Sequence, residues 1–345
     1  MGNTLFRKIA VIAALVTAAA ATYVITTSSS DRESAAEEPF SPPAMTAPAF
    51  LSPGDKIAIL TPSYATDSAK IEKAVELIRG WGYEPVLGPN VGKRFAKAYA
   101  GTVEERLSDI RWALEEPEIK AIICQRGGYG ALHFIGELMP WEFARNPKWI
   151  VGYSDITTLL SLAACGGVMS VHGVMGNDIA SAEGADTSCI MLRDLLAGNI
   201  PSYSVPDHPA NIRGRCTGKL VGGNICTFAP LAGTSSDFTA EDGIVLFIEE
   251  IEESYHNIDR QLNILLKHGL LERVNGVILG DFSGCRNDLD YPSVEALIAS
   301  YFEGRGIPVC CGFPAGHGGV NWPLIMGAEV SLRVGRDGAQ IEFNL

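Results

Sequence analysis

The segment 152–155 (Gly-Tyr-Ser-Asp) has the residue types of a nucleophilic serine turn. It follows an apolar run, 149–151, and precedes a stretch, 156–160, that predicts a helix. A serine at a sharp turn between strand and helix is exposed beside a helix N-terminus, which favours negative charge. Ser154 is therefore a candidate nucleophile, although serine is also a common N-cap residue. The last glycine of the G-x-S-x-G pattern is replaced by Ile156.

Two later segments could supply the other groups of a serine hydrolase. An apolar strand ends in Glu249 and Glu250, and His317 lies between glycines in a loop rich in glycine and proline. Strand alternation puts Glu249 on the face of Val245 and Phe247, where a buried carboxylate could orient a histidine, whereas a role for Glu250 requires the opposite face. The order Ser, Glu, His is one of several that catalytic triads take.

The acidic cluster 249–253 also invites comparison with a metal site. Glu253 and His256 form an E-x-x-H pair, but a di-iron bundle needs two such pairs and two further glutamates. Apart from Glu249, we expect most of this cluster to be solvated. The cysteines lack zinc-site spacing, and we predict neither a metal nor another cofactor.

A glycine-rich segment, 126–130 (Arg-Gly-Gly-Tyr-Gly), follows the continuous apolar run 119–124. It lacks the Lys-Ser/Thr of a phosphate-binding P-loop. It could be only a tight turn. It could instead offer backbone N–H groups to an oxyanion, and Arg126 could hold a carboxylate in a bidentate pair.

The alternation of strands and helices predicts the fold that positions these residues. A β-α-β-α pattern over the first half of the chain implies an α/β protein with a doubly wound, flavodoxin-like parallel sheet. Ligands of such sheets bind at the carboxyl ends of the strands, where Ser154 and the segment 126–130 both fall. The second half predicts strands at 243–248, 277–279, 329–334 and 340–343, with helices at about 258–268 and 294–302.

We predict five segments along the chain. Residues 1–27 read as a signal peptide or membrane anchor, 28–51 as a flexible tether, and 52–200 as an N-terminal α/β domain that carries the nucleophile. Residues 201–215 are a polar linker, and 216–345 form a C-terminal domain. A site made of Ser154, Glu249 and His317 would then lie in the groove between the two domains.

The N-terminus predicts export or attachment to a membrane that faces the periplasm. Arg7 and Lys8 precede an uncharged apolar run, 9–27, close to the roughly 20 residues that span a bilayer. The eight cysteines are not spaced as C-x-x-C and predict buried, reduced thiols. Because free thiols are unusual in an oxidising compartment, a cytoplasmic location is the alternative.

Net charge argues against a nucleic-acid partner. The chain carries a formal charge of −13, and no basic stripe is available for phosphate contacts.

Taken together, these segments resemble the LD-carboxypeptidase family of serine peptidases, the muramoyltetrapeptide carboxypeptidases. Each matching segment is weak alone, but their order along residues 52–345 is specific. The matching segments are 54–57, 126–130, 152–155, 222–224, 247–250, 255–260, 276–282 and 312–318.

The resemblance implies a catalytic triad of Ser154, Glu249 and His317. It also implies an oxyanion hole from the N–H groups of Asp155 and of the turn at Gly128, and a C-terminal domain of mixed, partly barrel-like structure. Family members are usually homodimers that remove terminal D-alanine from murein tetrapeptides by cutting an L-to-D bond. They are typically cytoplasmic, so the apolar run at 9–27 departs from the family.

Two alternatives stay open. One subgroup of the family hydrolyses peptidyl-nucleotide antibiotics, an activity that would require an aromatic side chain on which the nucleobase can stack. A non-catalytic muropeptide receptor would also suit two domains, a cleft and an export signal, but it would not need three triad residues.

Overall fold

The computed structural model describes residues 44–345, which belong to one compact unit with two β-sheets. The strands, in chain order, are β1 (Lys56–Leu60), β2 (Glu84–Leu87), β3 (Ile119–Cys124), β4 (Trp149–Gly152), β5 (Ser170–His172), β6 (Ser202–Val205), β7 (Gly214–Asn224), β8 (Ile244–Ile251), β9 (Val274–Ser283), β10 (Val309–Cys310), β11 (Leu324–Met326), β12 (Glu329–Val334) and β13 (Ala339–Asn344).

Helices connect most of these strands. They are α1 (Ser68–Gly80), α2 (Val103–Glu115), α3 (Pro140–Ala144), α4 (Thr157–Cys165), α5 (Gly176–Ser181), α6 (Thr187–Leu196), α7 (Ile225–Phe228), α8 (Tyr255–Lys267), α9 (Leu270–Arg273) and α10 (Val294–Ser300). Short 3₁₀ helices span Ala131–Phe134, Ser154–Ile156, Ala229–Leu231 and Phe238–Ala240.

The first sheet has the order β11-β5-β4-β3-β1-β2, and all its pairs are parallel except β11 with β5. Side chains of β1 alternate between two cores: Ile57 and Ile59 pack on one face, Ala58 and Leu60 on the other. Helices α1 and α6 contribute to the first core, and α2 and α4 to the second. The predicted doubly wound parallel sheet with flavodoxin-like strand order is therefore confirmed.

The second sheet has the order β10-β9-β8-β7-β12-β13-β6. Strands β10, β9, β8 and β7 are parallel, and β7, β12, β13 and β6 pair antiparallel, so the domain is mixed as expected. Because β10 and β6 lie at opposite ends of this order, the partly barrel-like structure is not confirmed in the part of the chain that the structure describes.

The predicted linker, 201–215, is more structured than expected. Strand β6 lies inside it and pairs with β13. Tyr203 and Val205 are buried while Ser202 and Ser204 are exposed, a period-2 pattern that the surrounding polar and proline residues obscured. A second difference is at α8, which begins at Tyr255, three residues before the expected start.

The two sheets are also joined in a way that the domain prediction did not anticipate. Strand β11 lies within the predicted C-terminal domain, 216–345, yet it pairs with β5 at the edge of the first sheet. Phe247 of β8 and Leu160 of α4 belong to the same hydrophobic core. One continuous core therefore connects the elements that carry the candidate site residues.

Some predictions concern residues that the structure does not describe. The apolar run 9–27 and most of the predicted tether lie outside residues 44–345. Within the described residues, no helix is both long and apolar enough to cross a bilayer. The eight cysteines are free, and four are buried: Cys124, Cys189, Cys310 and Cys311.

Candidate active site

Ser154 lies on a strained turn at the end of a buried strand. Strand β4 ends at Gly152, and Ser154 opens the 3₁₀ turn that leads into α4. The backbone φ of Ser154 is 62°, in the left-handed region that L side chains avoid. Ile156 crosses close to the chain: a Cβ at Gly152 would lie 2.6 Å from its Cγ2. The turn therefore needs glycine at 152, and Ile156 fills the space where the usual pattern has its last glycine.

The glycine turn 126–130 packs directly against this serine. A Cβ at Gly127 would lie 3.2 Å from Ser154 Oγ and 3.5 Å from the backbone N of Asp155. Gly128 has a φ of 119°, which L side chains rarely adopt. Among the described residues, the N–H groups of Asp155 and Gly128 donate no hydrogen bond. Two backbone donors are thus available beside the serine hydroxyl, as an oxyanion hole requires.

The side chain of Asp155 fixes the two turns to each other. Its Oδ2 accepts hydrogen bonds from the hydroxyl of Ser63 and, at 2.9 Å, from the N–H of Ala131. Arg106 lies nearby and donates to the carbonyl of Gly130 at 3.1 Å. Burial raises the pKa of Asp155, although its two hydrogen bonds and Arg106 act in the opposite direction. Asp155 therefore anchors the glycine turn through its side chain and leaves its own N–H free.

His317 forms a buried hydrogen bond with Glu249. The distance between His317 Nδ1 and Glu249 Oε2 is 2.6 Å, and the side chain of Glu249 has no exposed surface. Gly316 is required at this contact, because a Cβ there would lie 2.9 Å from Glu249 Oε2. The bond fixes the imidazole and leaves Nε2 to exchange a proton with a hydroxyl.

Opposing influences set the protonation of this pair. Burial raises the pKa of Glu249, and the bond to His317 lowers it by less. Burial lowers the pKa of His317, but the hydrogen bond and charge of Glu249 and the charges of Glu250 and Asp178 together outweigh it, so the pKa of His317 is raised. The arrangement thus favours an imidazole that accepts a proton readily.

Tyr153 brings the two halves of the site together. Its ring lies 4.9 Å from the ring of His317, and it immediately precedes Ser154 in the chain. The hydrogen bonds of the described residues do not include one between Ser154 and His317. Catalytic hydrogen bonds are often long before substrate binds and shorten in the complex. The ring centre of Tyr153 also lies 5.9 Å from that of the buried His172.

The loop 311–323, which carries His317 and which we call the histidine loop, is attached to the first sheet. The N–H of Gly316 donates to Asn321 Oδ1 at 3.1 Å, and the N–H of Asn321 donates to Ser188 Oγ at 2.9 Å. Immediately afterwards the chain forms β11, whose residue Leu324 pairs with His172 of β5. The histidine loop is therefore held by the same sheet that presents Ser154.

Glu250 corrects one expectation. Sequence analysis placed it among solvated carboxylates, but it is buried and accepts hydrogen bonds from Asn224 Nδ2 at 2.6 Å and from the N–H of Cys226 at 3.0 Å. Both faces of β8 are covered, so neighbouring residues on opposite faces are both buried. Glu250 thereby holds the segment 222–224, whose Asn224 N–H donates to Thr157 Oγ1 at 3.2 Å.

Arg126 is partly exposed beside the glycine turn. It donates to the carbonyl of Ala65 at 3.3 Å, and its guanidinium lies 5.8 Å from the ring centre of Tyr64. The ion pairs of residues 44–345 do not include Arg126, so its charge is available to an anionic ligand. The same residues contain no group of three or more side chains that could hold a metal ion.

The structure brings five of the six residues singled out by sequence into two groups and leaves Arg126 beside the glycine turn. Ser154, Asp155 and Gly128 lie at one pair of turns, and Glu249 at the end of β8 bonds to His317 in its loop. Sequence reasoning missed the roles of Tyr153, His172 and Asn321 in joining them. Tyr153 stood in a recognised motif, but nothing in the sequence indicated which ring it would contact.

Comparisons with known proteins give the family. Residues 57–173 match the model of the LD-carboxypeptidase N-terminal domain, and residues 217–332 match that of the C-terminal domain. The chain belongs to the LD-carboxypeptidase family. As a member of this family it is a peptidase.

Individual relatives agree with this assignment. The chain is 31% identical over 283 residues to a murein tetrapeptide carboxypeptidase of Pseudomonas aeruginosa, a match that covers 78% of this chain and 90% of that protein. A crystal structure of a muramoyltetrapeptide carboxypeptidase from Oxalobacter formigenes aligns with a TM-score of 0.75 at 27% identity, covering 84% of this chain and 99% of that one. The microcin C7 self-immunity protein MccF shares the fold, with a TM-score of 0.76 at 22% identity over 88% of this chain and 99% of that one.

Proposed function

We propose that this LD-carboxypeptidase family member is a serine carboxypeptidase that cuts the L-to-D bond of murein tetrapeptides and releases the terminal D-alanine. The observation that carries the proposal is the buried bond between Glu249 and His317, which packs against Tyr153 next to the strained Ser154. A peptide of mixed stereochemistry is the substrate class that the named relatives suggest.

In the proposed reaction, His317 takes the proton from Ser154 Oγ as that oxygen attacks the scissile carbonyl. Glu249 keeps the imidazole in place and stabilises its charged form. The N–H groups of Asp155 and Gly128 hold the developing oxyanion, an effect worth about 2.7–4 kcal/mol per donor in other enzymes. His317 then protonates the amine of the departing D-alanine, and water hydrolyses the acyl-enzyme.

A carboxypeptidase must also recognise a free carboxylate at the end of its substrate. Arg126 is our candidate, since its guanidinium adjoins the glycine turn and forms no ion pair with described residues. A planar guanidinium can bind a carboxylate through two parallel hydrogen bonds.

The cellular location and the oligomeric state of the protein are further proposals. We propose export or membrane attachment through residues 9–27, which lie outside the described residues, with a cytoplasmic location as the alternative. We also propose a homodimer, as is usual in the family.

A related hydrolase is the second candidate. The shared fold with a microcin C7 self-immunity protein supports an enzyme that hydrolyses peptidyl-nucleotide antibiotics. A muropeptide receptor without activity is the third candidate, but the Glu249–His317 pair would have no purpose in it.

Mass spectrometry of products separates these candidates. The purified protein would be incubated with a murein tetrapeptide, with the same peptide ending in L-alanine, and with a peptidyl nucleotide. We expect release of D-alanine from the first substrate alone. Hydrolysis of the peptidyl nucleotide alone would replace the proposal with the second candidate, and binding of the tetrapeptide without any product would favour the receptor.

A further inference from the structure

Asp178 is a partly buried carboxylate that has no role in the reaction proposed above. It is the third residue of α5, and its Oδ2 accepts a hydrogen bond from the N–H of Met175 at 2.8 Å. Its Oδ1 accepts a hydrogen bond from the hydroxyl of Tyr153 at 3.4 Å. Both oxygens therefore have partners, and one of the partners is the ring that packs against His317.

The charge of Asp178 lacks a permanent cation beside it. The ion pairs of the described residues do not include Asp178. Burial raises the pKa of Asp178, whereas the hydrogen bonds from Met175 and Tyr153 and the charge of His317 lower it. Buried carboxylates are normally paired with a cation. The charge of Asp178 is therefore best balanced when His317 carries a proton.

Glu142 shows that capping a helix does not by itself explain this arrangement. It is the third residue of α3, and its Oε1 accepts from the N–H of Met139 at 2.9 Å, as Asp178 does at α5. Its Oε2, however, pairs with the guanidinium of Arg111 at 3.0 Å. The same capping role is thus filled at α3 by a carboxylate that a cation neutralises, and at α5 by one that faces the histidine of the site.

Tyr153 transmits the position of Asp178 to His317. The bond to Glu249 holds one nitrogen of the imidazole, and an edge-on ring beside it limits how the imidazole can turn about that bond. The ring centres of Tyr153 and His317 are 4.9 Å apart and their planes meet at 61°. Because the hydroxyl of Tyr153 is bonded to Asp178, the tyrosine ring is fixed at both of its ends.

The start of α5 is itself attached to the glycine turn. The N–H of Asn177 donates to the carbonyl of Gln125 at 2.7 Å, and Gln125 Nε2 donates to Asn177 Oδ1 at 3.0 Å. A Cβ at Gly176 would lie 2.2 Å from Gln125 Oε1, so the contact requires glycine. Gln125 immediately precedes Arg126 in the chain. The first turn of α5 therefore holds the candidate oxyanion turn and Tyr153 in one frame.

Resting on the proposed function, we infer that Asp178 is a positioning residue for this reaction. It orients His317 towards Ser154 through Tyr153, and its charge stabilises the imidazolium that forms when Ser154 loses its proton.

The charge of Asp178 acts on His317 together with groups from other elements. Other titratable side chains that face His317 or its loop are Glu249 and Glu250 from β8, His172 from β5 and Asp281 from β9. Asp178 is among the groups that raise the pKa of His317. Removing its charge should lower this pKa, so the imidazole would stay neutral, and able to accept a proton, down to a lower pH.

Labelling of Ser154 by a fluorophosphonate, followed by mass spectrometry over a range of pH, tests the inference without a murein substrate. We expect Asp178→Asn to lower the maximal labelling rate about tenfold and to shift the loss of labelling to lower pH. Tyr153→Phe should also lower the rate about tenfold but keep the pH dependence of the wild type, because the carboxylate remains. The double variant should be slower by about tenfold and not a hundredfold, since both changes break one contact.

Glu142→Gln is the matched control, because it changes the same position of a helix away from the site. It should leave the labelling rate and its pH dependence unchanged. An equal loss of rate in Glu142→Gln and Asp178→Asn would reduce Asp178 to a helix cap and overturn the inference.

Two other results would also overturn it: labelling of Asp178→Asn at the wild-type rate and pH, or effects of the two single changes that multiply in the double variant. If Asp178→Asn does not fold by circular dichroism, Tyr153→Phe decides, and a wild-type rate there overturns the inference. D-Alanine release is measured in parallel. Labelling of Ser154 without release would contradict the proposed substrate and leave the role of Asp178 standing.

Discussion

Ser154 holds a backbone conformation that costs an L residue about 1–2 kcal/mol, since its φ is 62°. Such strain concentrates at functional sites and is relieved by glycine. We expect Ser154→Gly to be about 1 kcal/mol more stable towards urea than Ser154→Ala, although both lack the proposed nucleophile.

Ser108 provides the matched comparison for this effect. It lies within α2, where glycine is about 1 kcal/mol less favourable than alanine, so the order of the two variants should reverse. If the glycine variant were the less stable one at both positions, Ser154 would not be strained in solution.

The second prediction at the scale of residues concerns pH. Burial lowers the pKa of His317, but the hydrogen bond and charge of Glu249, together with the charges of Glu250 and Asp178, raise it by more, so the net pKa lies above the ordinary histidine value of ~6.5. A general base must be neutral, so kcat/KM should fall as pH drops through this raised pKa. In Glu249→Gln the carboxylate charge that raises this pKa is lost. We therefore expect the fall of kcat/KM on the acid side of the pH profile, its acid limb, to occur at lower pH. We also expect the maximal kcat/KM to fall about 10⁴-fold.

Glu250→Gln is the control for that experiment, because Glu250 bonds to Asn224 and to the N–H of Cys226 and not to the histidine. Its acid limb should move less than that of Glu249→Gln. An acid limb that stays in place when Glu249 is changed would remove Glu249 from the mechanism.

At the scale of elements, the glycine turn 126–130 has to approach the serine closely. Gly127 does not have a left-handed φ, so alanine is compatible with its backbone, but the added methyl would lie 3.2 Å from Ser154 Oγ. We expect Gly127→Ala to lower kcat/KM about 10- to 100-fold, since small displacements of reacting groups have effects of that size. The unfolding midpoint should change little.

Gly80→Ala is the matched control, because a Cβ at the end of α1 meets nothing within 4 Å. It should leave activity unchanged. Full activity in Gly127→Ala would mean that this turn does not border the reacting atoms.

The elements also show what the sequence could and could not predict. A strong local signal was read correctly: the continuous apolar run at 119–124 is the buried strand β3. Strand β6 was missed because only two buried side chains mark it. The burial of Glu250 was missed because alternation along β8 distinguishes its two faces but does not say that both are covered.

At the scale of the whole molecule, the long-range contacts were beyond sequence reasoning. The pairing of β11 with β5 joins residues more than 150 positions apart, and no local pattern encodes it. Asn321 lies just before β11, and its Oδ1 accepts a hydrogen bond from the N–H of Gly316 at 3.1 Å. The pairing of β11 with β5 therefore also fixes the loop that carries His317.

We therefore predict that Asn321→Ala loosens the histidine loop without removing a catalytic group. Loss of one hydrogen bond should reduce stability by about 1 kcal/mol, and kcat should fall while KM stays nearly constant. Asn275→Ala is the control, because its amide bonds to the carbonyl of Thr217 at 2.9 Å, away from the histidine loop. Equal changes in kcat for both variants would contradict a positioning role for Asn321.

The most direct test of the account is the release of D-alanine from a murein tetrapeptide by wild-type protein and by Ser154→Ala, with circular dichroism to confirm that both are folded. We predict release by the wild type and a loss of at least about 10⁴-fold in the variant. Equal release by both proteins would contradict the assignment of Ser154 as the nucleophile, and no release by the wild type would contradict the proposed substrate.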